Sequence, residues 1–163
     1  MQITNWLQKA LATLFFIGYF PWMPGTIGSA VLVAGLWYMQ FRSHVVITPE
    51  IWWLIAIGLT AFSILVSSRP GRVFGQEDPQ QVIIDECAGQ FITFIFIPLT
   101  LNILILGFLL FRFFDIVKPF PIYKMEELEG GIGITMDDVV AGIFANCSLL
   151  AILYGYNFIK AAL

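Results

Sequence analysis

Four stretches of this chain, residues 27–41, 51–67, 87–113 and 139–159, are too apolar for the core of an ordinary soluble domain, and from Asn102 to Phe111 there is no charge at all. The first, second and last runs are close to the ~20 residues that a helix needs to cross a hydrocarbon core. Backbone groups inside a membrane must find their partners within the chain, which favours helices, and no stretch alternates with period two over a useful length. The chain is 59% hydrophobic and 12% charged, against about 45–50% and about 25% for a soluble domain, so most of its surface is expected to face lipid. The expected fold is all-α: a polytopic helical membrane bundle, with residues 1–163 forming a single domain.

The third run is open to two readings. It can be one long span of residues 87–113, or two shorter legs broken within "IPLTLN" at 97–102. Pro98 removes a backbone donor and discourages helix at Ile97, and Asn102 suits the N-cap of a second leg. Near the start, "ALATLFFIGYF" has the look of a signal-peptide core, but "PWMPGT" follows instead of a small-residue cleavage site. Residues 3–18 therefore read as a retained helix. Its polar positions cluster early and Trp6 suits the interface, so it is expected to lie along the membrane surface.

Ten of the eleven carboxylates fall in two stretches, 77–86 and 115–138; Glu50 is the exception. "VIIDECAGQF" sets Asp85 and Glu86 at the mouth of one apolar run, and "GITMDDVVAGIF" sets Asp137 and Asp138 at the mouth of another. Helix capping accounts for one acid of each pair. It leaves the second unexplained, and also Asp115, which stands near a helix C-terminus where the dipole disfavours a carboxylate. Acids at a membrane edge are costly and need partners. Oxygen ligands with no His or Cys assigned among them point to a hard ion such as Mg2+. Arg112 and Lys118 suit an anionic substrate, the arginine as a fork and the lysine as a point charge. The single histidine, His44, excludes a multi-histidine metal site, and Cys87 and Cys147 lack metal-ligand spacing. No basic patch points to nucleic acid.

This chemistry bears on the third run. One span would put Asp85 and Glu86 on the opposite membrane face from Asp115. A short or re-entrant hairpin over residues 87–113, bent near Pro98, brings Gly25, residues 68–86 and residues 113–138 to one face. Lys9, Arg69, Arg72, Arg112, Lys118 and Lys124 then share the site face, with Arg42 and Lys160 opposite. The positive-inside rule turns the site to the cytoplasm.

"PGTIGS", "VIIDECAGQFIT", "FRFFDIVKPFPI" and "GGIGITMDDVVAGIF" occur in the order and spacing of the phosphatidylglycerophosphatase A family, which the chain resembles from about residue 21 to residue 145. The resemblance implies a multi-pass enzyme of the bacterial inner membrane that depends on Mg2+. It would convert phosphatidylglycerophosphate to phosphatidylglycerol and inorganic phosphate in phospholipid biosynthesis. On the matched positions, Asp85, Glu86, Asp115, Asp137 and Asp138 are the expected metal ligands. Asp85, Asp115, Lys118 and Asp138 are the expected catalytic groups, and Gly25, Thr26, Arg112 and Lys118 the expected substrate contacts. Asp78 matches an acid upstream of the second block, and Cys87 has no assigned role. Other phosphatase designs lack their parts here. There is no Cys-x5-Arg loop, no second histidine, no Asp-x-Asp nucleophile and no D-G-x-x-A-R frame. A divalent-cation carrier or channel is the rival of a different class. It needs acids at mid-membrane, whereas these lie at segment ends.

Overall fold

The apolar runs become helices packed around one short helix that is buried nearly all round. The computed structural model describes residues 2–42, 48–77 and 79–162, so His44 and Asp78 lie outside the described residues. Regular structure there is helical throughout: α1 (Gln2–Ala12), α2 (Pro24–Arg42), α3 (Pro49–Val66), α4 (Pro70–Phe74), α5 (Ile84–Thr93), α6 (Leu101–Val117), α7 (Ile122–Glu126) and α8 (Gly130–Ala162), with one 3-10 turn at Ile17–Tyr19. The all-helical expectation holds. By length and apolar composition α3 and α8 can cross a membrane. α2 was expected as a third span, and its 19 residues are long enough, but its first turns carry Gly25, Thr26, Gly28 and Ser29 and dilute its hydropathy. Large apolar side chains lie outward, among them Leu54, Leu65, Leu109, Phe113 and Phe158, as lipid-facing surfaces require.

The third run is a hairpin. α5 has ten residues, about 15 Å of helix and half a hydrocarbon core. Every residue of α5 except Glu86 is buried, and it packs against α8, α2 and α3. Its end is a turn around Phe94–Thr100 rather than a continuation. Phe96 there takes a left-handed φ of 60°. Asn146 of α8 donates from Nδ2 to the carbonyls of Thr93 and Ile95, each at 3.0 Å, and so satisfies carbonyls that the broken helix leaves free. α6 then starts two residues earlier than expected. Thr100, not Asn102, is its N-cap, in extended conformation with its hydroxyl accepting from the Ile103 N–H.

Two further boundaries differ from expectation. The N-terminal helix ends at Ala12 and does not run on to residue 18. Thr13 Oγ1 donates to the Lys9 carbonyl and accepts from the Phe16 N–H, drawing the backbone into a local turn. Leu14, Phe15 and Phe16 follow with positive φ, and the Ala12 carbonyl accepts from Ile83 instead. The last helix begins at Gly130, because "GGIGIT" continues as helix and not as a loop. Asp137 and Asp138 are therefore about two turns inside α8, beyond the reach of N-terminal capping.

The α5–α8 crossing is set by glycine. A Cβ on Gly89 would strike the Asp138 backbone, and one on Gly142 would strike the Gly89 backbone, so the two main chains are in direct contact, as small residues allow between membrane helices. Gly142→Leu is expected to lower stability by about 1–3 kcal/mol through overpacking. Gly58→Ala, whose added carbon meets nothing within 4 Å, is expected to be neutral or stabilising by up to ~1 kcal/mol. Thermal melts followed by circular dichroism in detergent compare the two; equal melting temperatures would remove the crossing from its place in the fold.

Candidate active site

The site forms at one end of the bundle, where α5 and α8 carry acids one helical turn from their contact. Gly89 follows Asp85 by four residues and Gly142 follows Asp138 by four, so each acid shares a helix face with the glycine at the crossing. The close approach brings one oxygen each from Asp85, Glu86 and Asp138 within 4.8 Å of one another. Asp85 is 6% exposed and Asp138 4%. Glu86 Oε2 and Asp138 Oδ1 are buried without a hydrogen-bond partner.

Such a group of carboxylates is costly unless a cation joins it. Burial, foremost, pushes the Asp85 carboxyl up to about 7, against hydrogen bonds at Glu86 that favour its ionised form. Burial and then the neighbouring Asp85 push Glu86 well above the usual carboxylate range, against the pull of Arg112. Oxygen donors with unspent lone pairs, and no nitrogen or sulfur among them, fit a hard divalent cation. The residues present therefore fit a metal at this point.

The other two expected ligands are partnered by cations. Asp137 Oδ2 accepts from Lys118 Nζ at 2.8 Å, and Glu126 lies 3.1 Å from the same ammonium. Burial disfavours that ammonium, but the hydrogen bonds and charges of Asp137 and Glu126 outweigh it and hold Lys118 above its ordinary pKa. Asp115 Oδ2 is 2.7 Å from Arg112 Nη1. The contact lacks hydrogen-bond alignment, so Nε and Nη1 of Arg112 remain buried with no hydrogen-bond partner. The arrangement is a self-paired helix end for Arg112 and Asp115, with guanidinium donors at Nε and Nη1 still unspent. Lys118 caps α6 at φ 44°, a left-handed conformation that costs a non-glycine residue roughly 1–2 kcal/mol. Strain of this kind collects at functional positions.

All these groups line one cavity of about 1260 Å3: Asp85, Glu86, Arg112, Asp115, Lys118, Asp137 and Asp138, together with Gly25. Its rim comes from the first turn of α2, the 68–72 segment, α7 and the start of α8. A side chain on Gly25 would collide with the Glu86 carboxylate and approach Arg112 Nη1 to 3.2 Å; its bareness lets both reach over α2. Thr26 is not among the lining residues, and its hydroxyl is buried without a hydrogen-bond partner. Cys87 donates its thiol to the Gly28 carbonyl at 3.3 Å, a tie between α5 and α2. Sequence reasoning missed Glu126, Gly89, Gly142 and Asn146. The i+4 offset from each acid to a glycine was a readable signal for the crossing. For Asn146 it was an amide in the middle of an apolar run, and for Glu126 there was none beyond a run of acids.

A family model described as Phosphatidylglycerophosphatase A matches residues 10–153. A Bacteroides thetaiotaomicron protein, provisionally named a phosphatidylinositol-3-phosphatase, is 33% identical over 150 residues, which are 89% of this chain and 92% of that protein. The Haemophilus influenzae phosphatidylglycerophosphatase A is 48% identical over 82 residues, 49% of this chain and 50% of its own. The Escherichia coli phosphatidylglycerophosphatase A is 30% identical over 137 residues, 83% of this chain and 77% of its own. No solved structure matches the chain significantly.

Lys118 and Asp137 form a pair whose halves depend on each other. Lys118→Ala is expected to cost about 1–3 kcal/mol by leaving the Asp137 carboxylate unpaired, and Asp137→Asn in the same chain is expected to recover most of that loss. A double-mutant cycle of melting temperatures checks this; strict additivity would dissolve the pair.

Proposed function

Since the chain belongs to the phosphatidylglycerophosphatase A family and is a phosphatase, we propose that it hydrolyses the phosphomonoester of phosphatidylglycerophosphate at the membrane surface. The products are phosphatidylglycerol and inorganic phosphate, as needed in bacterial phospholipid biosynthesis. The observation that carries this reading is the meeting of three carboxylates within 4.8 Å, in one cavity with Arg112 and Lys118. Cation-seeking and anion-seeking groups stand side by side there, which phosphoryl transfer requires.

In this reading Asp85, Glu86 and Asp138 hold Mg2+, with Asp115 and Asp137 completing the acidic wall. When bound, the ion supplies charge neutralisation and water activation. Arg112 and Lys118 receive phosphate oxygens. Asp137 and Glu126 fix the lysine, and Asp115 fixes the arginine, so neither cation needs reordering as charge shifts in transfer. A carboxylate of the wall takes the proton of the attacking water. The water oxygen bonds to phosphorus as the bond to the lipid oxygen breaks, and the lipid alkoxide leaves as an alcohol after taking up a proton.

The substrate carries its tails in the bilayer, which fits a site at the end of α3 and α8. Arg69, Arg72, Arg112, Lys118 and Lys124 belong to the segments at this end, whereas Arg42 and Lys160 belong to the far ends of α2 and α8. That bias supports an inner-membrane orientation with the site toward the cytoplasm. Acids gathered at one end, not at mid-bundle, favour an enzyme over an ion carrier.

Purified protein in detergent is expected to release phosphate from phosphatidylglycerophosphate with Mg2+ and to stop with a chelator. Phosphatidylinositol-3-phosphate in a parallel arm tests the headgroup, and faster turnover of that lipid would overturn the substrate assignment. Asp85→Asn and Asp138→Asn are each expected to lower kcat by about 100-fold or more. Near-normal rates in both variants would displace the site even with the activity intact.

A further inference from the structure

An apolar cavity of about 650 Å3 runs down the side of the bundle between α3 and α8, within the about 300–1,000 Å3 usual for ligand sites. Trp53, Ile57, Thr60 and Ile64 line it from α3, at a spacing that keeps them on one helix face. Val139 and Ile143 line it from α8, and the end of α5 forms its back. Ile64 also lines the catalytic cavity, and Val139 directly follows Asp138. Ile64 thus stands at the boundary between the groove and the acidic site. At the lower end the rings of Trp53 and Phe96, both lining the groove, meet edge-on, 5.7 Å between centroids. Trp53 and Ile64 are eleven residues apart, about 16 Å of helix. Its width comes from the buried Ala56 at its back and from Thr60 and Ala61, small side chains where the neighbouring surface carries large ones.

We propose that this groove binds one acyl chain of the lipid substrate, with the glycerol end at Ile64 and the chain running toward Trp53. The proposal rests on the lipid-phosphatase reading above and adds where the tail goes. Three observations select this occupant. The groove is flanked by the two helices that can cross a membrane, so its open side meets hydrocarbon. It is joined to the headgroup cavity at only one end by a shared residue. It is about 16 Å long, enough for the upper part of a single extended chain. With the phosphomonoester at the carboxylates, Ile64 is where the polar cavity and this apolar groove share a wall. The groove therefore reads the presence of a chain, whereas the polar cavity reads the headgroup.

The test compares dioleoyl with dibutyryl phosphatidylglycerophosphate in detergent, using wild type, Ala61→Phe and the milder Ala61→Leu. Ala61 lines the groove and is outward-facing, away from the acidic site. Filling the groove is expected to raise KM for the dioleoyl lipid about 10-fold or more, the worth of roughly two buried methylenes, in Ala61→Phe and less in Ala61→Leu. KM for the dibutyryl lipid is expected to stay within about 2-fold of wild type, since a short chain gains little from apolar burial. Equal effects on both lipids, or no effect on either, would overturn the assignment. So would a change in oligomeric state on size exclusion, which would make the groove an interface between copies of this chain. If wild type hydrolyses neither lipid, the phosphatase reading itself falls, and the groove's occupant with it. Wild-type turnover with an unselective Ala61→Phe removes the groove alone.

Discussion

The site depends on a contact between two bare stretches of backbone. At Gly89 and Gly142 there is no room for a Cβ on either helix. Helices that meet through side chains sit about 8–10 Å apart, and bare backbone at a crossing lets two helices come closer than that. Here each acid stands one turn from the glycine of its own helix, so the closeness of the main chains passes directly to Asp85 and Asp138. Association between membrane helices draws little from the hydrophobic effect, because lipid is as apolar as leucine. Tight backbone packing of this kind is the remaining source of specificity, and in this chain it also builds the chemistry.

Charge completes what packing begins. Lys118 is gripped by Asp137 and Glu126, and Arg112 lies against Asp115, which leaves Asp85, Glu86 and Asp138, of the five acids expected as ligands, with no ion pair. The division separates two tasks that a phosphatase must perform at once, binding a cation and binding an anion. Grouping five carboxylates without the two basic residues would be prohibitive in a partly buried site. The strained backbone at Lys118 fits the same picture, since a lysine there gains contacts that a glycine cap could not make.

Much of this was readable beforehand. Periodicity and hydropathy identified the helices, and the bend near Pro98 followed from asking how Asp85 and Asp115 could serve one site. The boundaries read less well, each for a local reason. Thr13 turned the chain early because its hydroxyl competes for backbone partners. α8 began at Gly130 because glycines that look like a loop are held helical where Gly131 packs against the end of α3. Asn102 lost the cap to Thr100, a choice between two good caps that local preference does not resolve.

What the sequence by itself determined is the class and the cast: an all-helical chain with apolar runs long enough for a membrane, and seven charged residues clustered at the ends of those runs. Composition and periodicity are properties of single segments, so one chain of letters suffices for them. Only the tertiary structure decided how that cast divides, with Asp115 and Asp137 given to cations and Asp85, Glu86 and Asp138 drawn together. The same is true of the apolar groove between α3 and α8. Pairing and cavities are relations between segments, set by how closely two helices approach and which faces they present, and in this fold Gly89 and Gly142 govern that distance for α5 and α8.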